Sequence, residues 1–290
     1  MRGVISSLSP APDLVLGTRL SERVPKADQV RQRKEVENIL GRLRKQPGVI
    51  LADEVGMGKT YVALGVAYSV AAHSPQGPVV VMVPANLVDK WEQDLRSFCE
   101  LYLDDRRPVK KGELPGKAVP AGNALRYGVA RHSVDFLKLL DDPPRDRCQM
   151  IFLAQGAMSR RQTDRWVRLA IIAEALRRHG RGMASRLIQV KEKIHRYIAE
   201  LIWAIGEQNA TDLGEDLWRA LIRTDPSAWK AIHNEAMRDE SRMWADDPVP
   251  KAVVRSLQKI QLDQLADALK EMPVRSRGGE QNVSLRINSV

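Results

Sequence analysis

The sequence predicts an α/β fold, in which a partial parallel sheet carries a phosphate-binding loop and is followed by an all-helical accessory subdomain. An apolar run at residues 49–52 leads into a glycine-rich turn that ends in Gly58-Lys59-Thr60. A second apolar, β-branched run occupies residues 79–83, and continuous runs of this kind are typical of parallel strands buried on both faces. Beyond residue 163 the apolar residues recur at helical spacing instead.

The overall charge of the chain is strongly basic. Its 290 residues carry a formal net charge of +10, and the pI is about 9.7. A basic surface attracts phosphate backbones through counterion release, without giving sequence specificity. The charge therefore favours a nucleic-acid partner, although arginine-rich, solvent-exposed helix faces would account for the same residues.

The composition also restricts the class of protein. No apolar run approaches the roughly 20 residues that span a membrane, and residues 1–10 lack the pattern of a signal peptide. We therefore expect a cytoplasmic chain with no membrane partner. Cys99 and Cys148 lie far apart without Cys-x-x-Cys spacing, which favours neither a disulfide framework nor a zinc site.

The turn after residues 49–52 has the residue types that a triphosphate requires. Backbone N–H groups and a helix N-terminus must converge on the phosphates, and glycines at 56 and 58 allow the main chain to approach closely. Lys59 is placed to reach the β- and γ-phosphates, and the Thr60 hydroxyl to hold Mg²⁺. Asp53 stands where the general pattern G-x-x-x-x-G-K-[ST] has glycine, so a chance Gly-Lys-Thr remains the alternative.

The segment Ala52-Asp53-Glu54-Val55-Gly56-Met57-Gly58-Lys59-Thr60 resembles motif I of the superfamily-two helicases, in the form typical of the SWI/SNF-like DNA translocases. An Asp-Glu pair is normal in that family, so the missing glycine favours this resemblance over a generic phosphate loop. The resemblance implies a RecA-like fold that uses ATP and Mg²⁺. It assigns the nucleotide-binding residues of this segment as Asp53, Glu54, Gly56, Met57, Gly58, Lys59 and Thr60, with Thr60 on the metal.

A glutamine upstream of the loop is a candidate for base recognition. Gln29 lies near the start of an amphipathic helix that the sequence predicts from Asp28. In the resembling family a glutamine about this far before the loop lysine reads the adenine edge, because an amide can both donate to and accept from that base. We assign this role to Gln29 rather than Gln32, and a helix-surface glutamine without a ligand is the alternative.

The residues after the strand at 79–83 resemble motif Ia of the same family. Residues 84–95 have Pro, Leu, Trp and an acidic residue at matching places, and motif Ia lies along the DNA backbone in that family. The resemblance therefore implies duplex DNA as a partner, with sequence-independent contacts from Asn86 and Lys90. A third predicted strand, residues 150–154, leads into a loop that corresponds to motif Ib, which makes Ser159 and Arg160 further phosphate candidates.

The sequence divides into four predicted regions. Residues 1–24 form an irregular lead-in, and residues 25–162 form the partial RecA-like ATP-binding region. Residues 163–271 form the helical subdomain, whose helices are expected near 163–180, 185–204, 216–223, 225–239 and 251–270. Residues 272–290 are polar and rich in Arg, Gly and Ser, which predicts a flexible tail.

The chain lacks the acidic motif II, Asp-Glu-x-His. An ATP-hydrolysing member of the resembling family needs that motif to hold Mg²⁺ and orient water, and it needs the arginine finger of a second lobe. We therefore predict the ATP-binding N-terminal part of a SWI/SNF-like, DNA-dependent ATPase of the helicase family, with no identified catalytic residue and poor hydrolysis by itself. Its partners would be duplex DNA and either the missing C-terminal half or a second polypeptide. A complete P-loop NTPase of another class, with an acid such as Asp246, and a non-catalytic nucleotide- or DNA-binding module remain alternatives.

Overall fold

The computed structural model divides the chain into two compact units, residues 1–158 and residues 159–290. The structure describes residues 8–16, 24–54, 56–73, 77–104, 109–111, 125–143, 147–158, 164–179, 217, 220–221, 223–237, 240–261, 263–264, 273–276 and 279–282.

The first unit is built on a four-stranded parallel sheet. Its strands are β1 (Val79–Val83), β2 (Val109–Lys111), β3 (Leu125–Ala130) and β4 (Met150–Ala154), in the order β1-β4-β3-β2. All three neighbouring pairs are parallel. The predicted strands at residues 79–83 and 150–154 are confirmed with the same bounds, whereas β2 and β3 are strands that the sequence analysis did not predict.

Among the described residues of this unit, four helices accompany the sheet. They are α1 (Lys26–Leu43), α2 (Lys59–His73), α3 (Val88–Tyr102) and α4 (Ser133–Asp141). Between β1 and α3 the chain makes one turn of 3₁₀ helix, residues 85–87. At the start of α4 the Asp135 carboxylate accepts a hydrogen bond from the His132 backbone N–H at 3.1 Å, which satisfies a donor just before the helix.

The core of the first unit has one layer on each face of the sheet. On one face, Phe152 of β4 packs in a cluster with buried residues of α1, α2 and α3, such as Leu40, Leu64 and Phe98. On the other face, Ile151 and Leu153 pack with residues of α4. Alternate residues of β4 therefore enter two different clusters, and every residue of the strand is buried, as expected for an interior strand.

The strand predicted at residues 49–52 is not formed. The segment belongs to none of the described strands, and Ile50 is 91% exposed. The segment pairs with no described strand, not even with β1, which is an edge strand and pairs only with β4 among the described residues. An apolar run alone does not make a strand, because a strand also needs a neighbour with which to exchange backbone hydrogen bonds.

The second unit contains three helices of eight or more residues among those that the structure describes. These are α5 (Arg165–His179), α6 (Trp229–Ala236) and α7 (Lys251–Lys259). The predicted helix near residues 163–180 is observed, and the Asp164 carboxylate caps it by accepting from the Val167 N–H at 2.9 Å. The helix expected at 185–204 lies outside the described residues.

Two parts of the second unit differ from the sequence prediction. The helix predicted at residues 251–270 is interrupted, since α7 ends at Lys259. Within the region predicted as a flexible tail, β5 (Pro273–Ser276) and β6 (Gly279–Asn282) form an antiparallel hairpin. The hairpin lies beyond residues 163–271, where the described regular elements are helices, and an all-helical subdomain there stays a prediction.

Aromatic side chains pack together in the second unit. Trp229 is fully buried, and its ring centroid lies 6.3 Å from that of Trp166, which in turn lies 4.7 Å from that of Trp244. The His233 ring stacks on Trp244 with centroids 3.7 Å apart. This cluster, Trp166, Trp229, His233 and Trp244, is a packing core. None of the described helices is both long and apolar enough to cross a membrane.

Candidate functional site

The glycine-rich turn before α2 has the backbone conformation of a tight loop. Gly56 and Gly58 have φ values of 89° and 76°, a left-handed region that side chains other than glycine rarely adopt. A Cβ atom at Gly58 would lie 2.2 Å from Nε2 of Gln32, so a larger residue there would require the Gln32 amide to move. The turn ends where Lys59 begins α2, and its backbone therefore leads directly into a helix N-terminus.

Lys59 is held by the loop itself. Its Nζ donates hydrogen bonds to the backbone carbonyls of Asp53 at 2.8 Å and Glu54 at 2.6 Å. The ammonium charge thus lies across the loop at the N-terminus of α2, which carries a positive partial charge of its own. Two positive features in one place, balanced here by carbonyl oxygens, favour the binding of an anion.

Arg31 also joins the loop, and sequence reasoning missed it. From α1 its Nη1 lies 3.1 Å from Oδ2 of Asp53, and its Nη2 donates to the Met57 carbonyl at 2.5 Å. Its Nε lies 3.8 Å from Oδ1 of Asp28 on the same helix. The spacing of Arg31 and Asp53 along the chain carries no known pattern, so only the packing of α1 against the loop could reveal the pair.

The two glutamines of α1 have different surroundings. Gln29 is fully buried and its Nε2 donates to the Val24 carbonyl at 2.7 Å. Gln32, which is 3% exposed, has its amide nitrogen beside Gly58, and its Oε1 is a buried acceptor with no hydrogen-bond partner. An unpaired buried acceptor is costly. Adenine recognition by Gln29 stays a prediction, and Gln32 is a second candidate because its amide reaches the loop.

The residues of the loop fit the phosphates of ATP with Mg²⁺. Gly56 has open space where a Cβ would lie, and the Thr60 side chain is only partly exposed, one residue into α2. A hydroxyl in that place suits one coordination position of Mg²⁺, which keeps several waters of its own. The described residues contain no group of three or more His, Cys, Asp or Glu side chains arranged to hold a metal by themselves.

The candidate DNA-contacting residues are partly described. Asn86 lies exposed in the 3₁₀ turn after β1. Lys90 is exposed and pairs with Asp94 one turn further along α3, at 3.0 Å. Sequence reasoning missed Arg131, which directly follows β3 and donates to Asp89 at 2.6 Å. Ser159 and Arg160 lie outside the described residues.

Neither cysteine has the surroundings of a reactive thiol. Cys99 and Cys148 are free and buried. Burial, with a smaller contribution from Asp142, raises the pKa of Cys148 to about 11, which keeps the thiol protonated. The strongest pKa shift among the tyrosines also comes from packing within the protein. Burial and a hydrogen bond to Glu92 raise the pKa of Tyr127 to about 12.

Comparison with known proteins identifies the region around the loop. Residues 31–104 match the model of the SNF2-related domain. This range contains the loop, β1 and α3, and hence the segments that resemble motifs I and Ia. The segment that resembles motif Ib lies beyond it.

Several curated proteins are similar to a part of the chain. Human chromodomain-helicase-DNA-binding protein 7 is 29% identical over 104 residues, which cover 33% of this chain and 3% of that protein. Chromatin-remodeling ATPase INO80 of Pyricularia oryzae is 44% identical over 50 residues, 17% of this chain and 3% of that protein. Protein CHROMATIN REMODELING 19 of Arabidopsis thaliana is 40% identical over 56 residues, 19% of this chain and 7% of that protein.

These matches are short on both sides. The matched segments span only 3% to 7% of the length of the three relatives, and no solved structure matches the chain. The family match nevertheless contains the loop and the elements on either side of it. Residues 31–104 are therefore similar to the SNF2-related domain, which confirms the resemblance to the SWI/SNF-like superfamily-two helicases for this part of the chain.

Proposed function

We propose that this chain is the ATP-binding N-terminal part of a SWI/SNF-like, DNA-dependent ATPase and that it hydrolyses ATP poorly by itself. In this proposal the phosphates bind at Gly56 to Lys59, and the Thr60 hydroxyl holds Mg²⁺. Gln29 or Gln32 contacts the adenine. When bound, the metal would neutralise charge on the phosphates, while the loop binds and orients them.

One observation carries the proposal. The ammonium group of Lys59 lies at the start of α2, behind two glycines in the left-handed region, and its only described partners are the carbonyls of Asp53 and Glu54. In the part of the chain that the structure describes, no carboxylate forms an ion pair with this ammonium group. A phosphate group would supply the missing negative charge and accept from the backbone N–H groups.

A second observation supports the idea that this part works with more polypeptide. The run Val79–Val83 has the β-branched composition of an interior strand, yet β1 is an edge strand of the described sheet. Val80 and Met82 are 40% and 60% exposed. An apolar edge of this kind is a hazard when left uncovered, which favours a partner strand from the missing half or a second polypeptide.

The experiment that tests the proposal measures ATP binding and ATP hydrolysis by the purified chain, with and without duplex DNA. Lys59→Ala provides the blank. We expect Lys59-dependent binding with no turnover above the blank, because no Asp-Glu-x-His occurs in the sequence. Turnover that depends on Lys59 would instead favour a complete P-loop NTPase with a catalytic acid elsewhere in the chain.

The DNA part of the proposal has its own test. Asn86 and Lys90 would contact the phosphate backbone, together with Ser159 and Arg160, and Arg131 is a further candidate. Binding to unrelated duplexes should be nearly equal, and its affinity should fall steeply as salt rises. A flat salt response would show that the net charge of +10 belongs to solvated surfaces instead.

A further inference from the structure

The loop carries a charge that should oppose its proposed ligand. Asp53 lies where the general phosphate-loop pattern has glycine, and its backbone carbonyl accepts from Lys59. A carboxylate so close to a phosphate site would repel phosphate oxygens, because like charges at short range destabilise one another. Some neighbouring group must therefore offset this charge if the loop is to bind ATP.

Arg31 is placed to offset it. The Asp53 carboxylate lies 3.1 Å from Nη1 of Arg31, and the side chains are 29% and 27% exposed. Partial burial on both sides makes the pair stronger than an ion pair in open solvent. The guanidinium is a planar fork, so one side chain can bind two acceptors at once in a fixed geometry.

The second acceptor of that fork is the backbone of the loop. Nη2 of Arg31 donates to the Met57 carbonyl at 2.5 Å. In a trans peptide the carbonyl and the following N–H point in opposite directions. The contact therefore turns the Gly58 N–H away from Arg31, and fixing an N–H before the ligand arrives lowers the cost of binding.

We propose that Arg31 is a positioning residue for nucleotide binding, which joins the Asp53 carboxylate to the Met57 carbonyl and so holds the loop in its phosphate-accepting form. The inference rests on the proposed function, since it concerns the same loop. Arg31 neutralises Asp53 and orients the Gly58 N–H, while Lys59 exchanges its loop carbonyls for the phosphates.

The test compares ATP affinity among variants of the full chain, with thermal unfolding measured in the absence of ligand. Arg31→Gln should weaken ATP binding about 10-fold, the size expected for losing one charge-assisted hydrogen bond. Arg31→Lys keeps the charge but cannot bridge both acceptors, so its affinity should fall between those of wild type and Arg31→Gln. The matched control is Lys34→Gln, which removes one charge from an exposed position of the same helix.

A rescue experiment separates positioning from general stability. Arg31→Gln leaves the Asp53 carboxylate without its partner beside the phosphates, so adding Asp53→Asn should restore part of the lost affinity. A merely structural role would make the double variant no better than Arg31→Gln. If Arg31→Gln fails to fold, Arg31→Lys and Asp53→Asn each disturb the same pair with a side chain of similar size.

Two outcomes would overturn the inference. One is ATP affinity of Arg31→Lys and Arg31→Gln equal to that of Lys34→Gln, and the other is a double variant whose losses simply add. Both are distinct from failure of the proposed function, in which Lys59→Ala would also bind ATP as wild type does.

Discussion

The two units of this protein use arginine and lysine side chains in contrasting ways. In the first unit, Lys59 donates to loop carbonyls at the N-terminus of α2. In the second, Arg178 binds Glu174 through Nε at 2.5 Å and donates to the Leu257 carbonyl at 2.8 Å. It also donates to the Ile260 carbonyl. These carbonyls end α7, and a helix C-terminus attracts cations.

The difference lies in whether the cation is already neutralised. Glu174 has a side chain only 10% exposed and binds both Arg177 and Arg178. Burial acts to raise the pKa of Glu174, but the hydrogen bonds from the two arginines outweigh it and the pKa is lowered. That network is complete without a ligand, whereas Lys59 lies at the wrong end of a helix for a cation. A basic residue therefore indicates a phosphate site only when its surroundings leave the charge unbalanced.

The largest predicted effect tests this difference between Lys59 and Arg178 directly. Lys59→Ala should weaken ATP binding about 100-fold, because it removes charge-assisted contacts that each contribute about 1.5–3 kcal/mol, and it should change the unfolding temperature little. Arg178→Ala should do the reverse, lowering the unfolding temperature while leaving ATP affinity unchanged. Titration calorimetry and thermal unfolding of both variants provide the measurement.

The comparison requires that Lys59→Ala and Arg178→Ala have opposite effects on ATP affinity and on the unfolding temperature. If Arg178→Ala weakened ATP binding as much as Lys59→Ala did, the network in the second unit would not be self-contained. If neither variant changed affinity, the loop would not be a phosphate site.

A smaller effect concerns the second unit alone. Glu174→Gln should destabilise the protein by about 2 kcal/mol, because it replaces charge-assisted hydrogen bonds in a buried place with neutral ones. A carboxylate whose folded pKa is lowered stabilises the fold above its unfolded pKa, and that stabilisation is lost as pH falls through the folded pKa. The difference between wild type and Glu174→Gln should therefore shrink below pH 4.5, the ordinary pKa of the group.

Urea denaturation at several pH values measures that difference. Glu235→Gln is the matched control, since Glu235 is exposed on α6 and should shift the midpoint little at any pH. A constant difference between wild type and Glu174→Gln down to pH 3 would show that charge is not what the arginines recognise.

Local sequence patterns predicted two of the strands correctly. They failed at residues 49–52, where pairing with a neighbouring strand decides whether a strand forms. Residues 79–83 and 150–154 are continuous apolar runs that form strands. Residues 49–52 show the same pattern but lack a neighbouring strand among the described residues. β3 was missed because Arg126 and Gly128 interrupt its apolar run. Arg126 is nevertheless only 7% exposed, and a Cβ at Gly128 would lie 2.7 Å from Leu139.

Local sequence patterns likewise predicted only part of the candidate site. Gly56, Gly58 and Lys59 lie within one turn of chain, so their spacing alone predicted the loop. Arg31 lies 22 residues before Asp53, and their contact depends on how α1 packs against the loop. Long-range contacts of this kind have no local pattern, which is why the sequence allowed a prediction of the phosphate-binding residues but not of the role proposed for Arg31.

A third prediction tests the role of the loop backbone in ATP binding. Gly58→Ala should weaken ATP binding about 10-fold, or about 1.4 kcal/mol, because the φ of 76° is strained for alanine and its Cβ would collide with Gln32. Gly77→Ala is the control, as a Cβ there meets nothing within 4 Å. Equal affinities of the two variants would mean that the left-handed turn is not required for binding.

The smallest effect tests whether the second unit responds to pH without any ligand. His233 is 7% exposed and stacks on Trp244, and its burial lowers its pKa despite a hydrogen bond with Asn234. The unfolded state therefore takes up a proton more readily than the folded state, and stability should fall as pH drops below about 6.5, the ordinary pKa.

His233→Phe keeps a ring on Trp244 but cannot titrate, so its urea midpoint, followed by tryptophan fluorescence, should fall less between pH 7.5 and 5.5. ATP affinity at pH 7.5 should be the same for wild type and His233→Phe, because the aromatic cluster is buried and self-contained and takes no part in binding the phosphate anion. An equal fall in both midpoints would assign the pH response to groups outside this cluster.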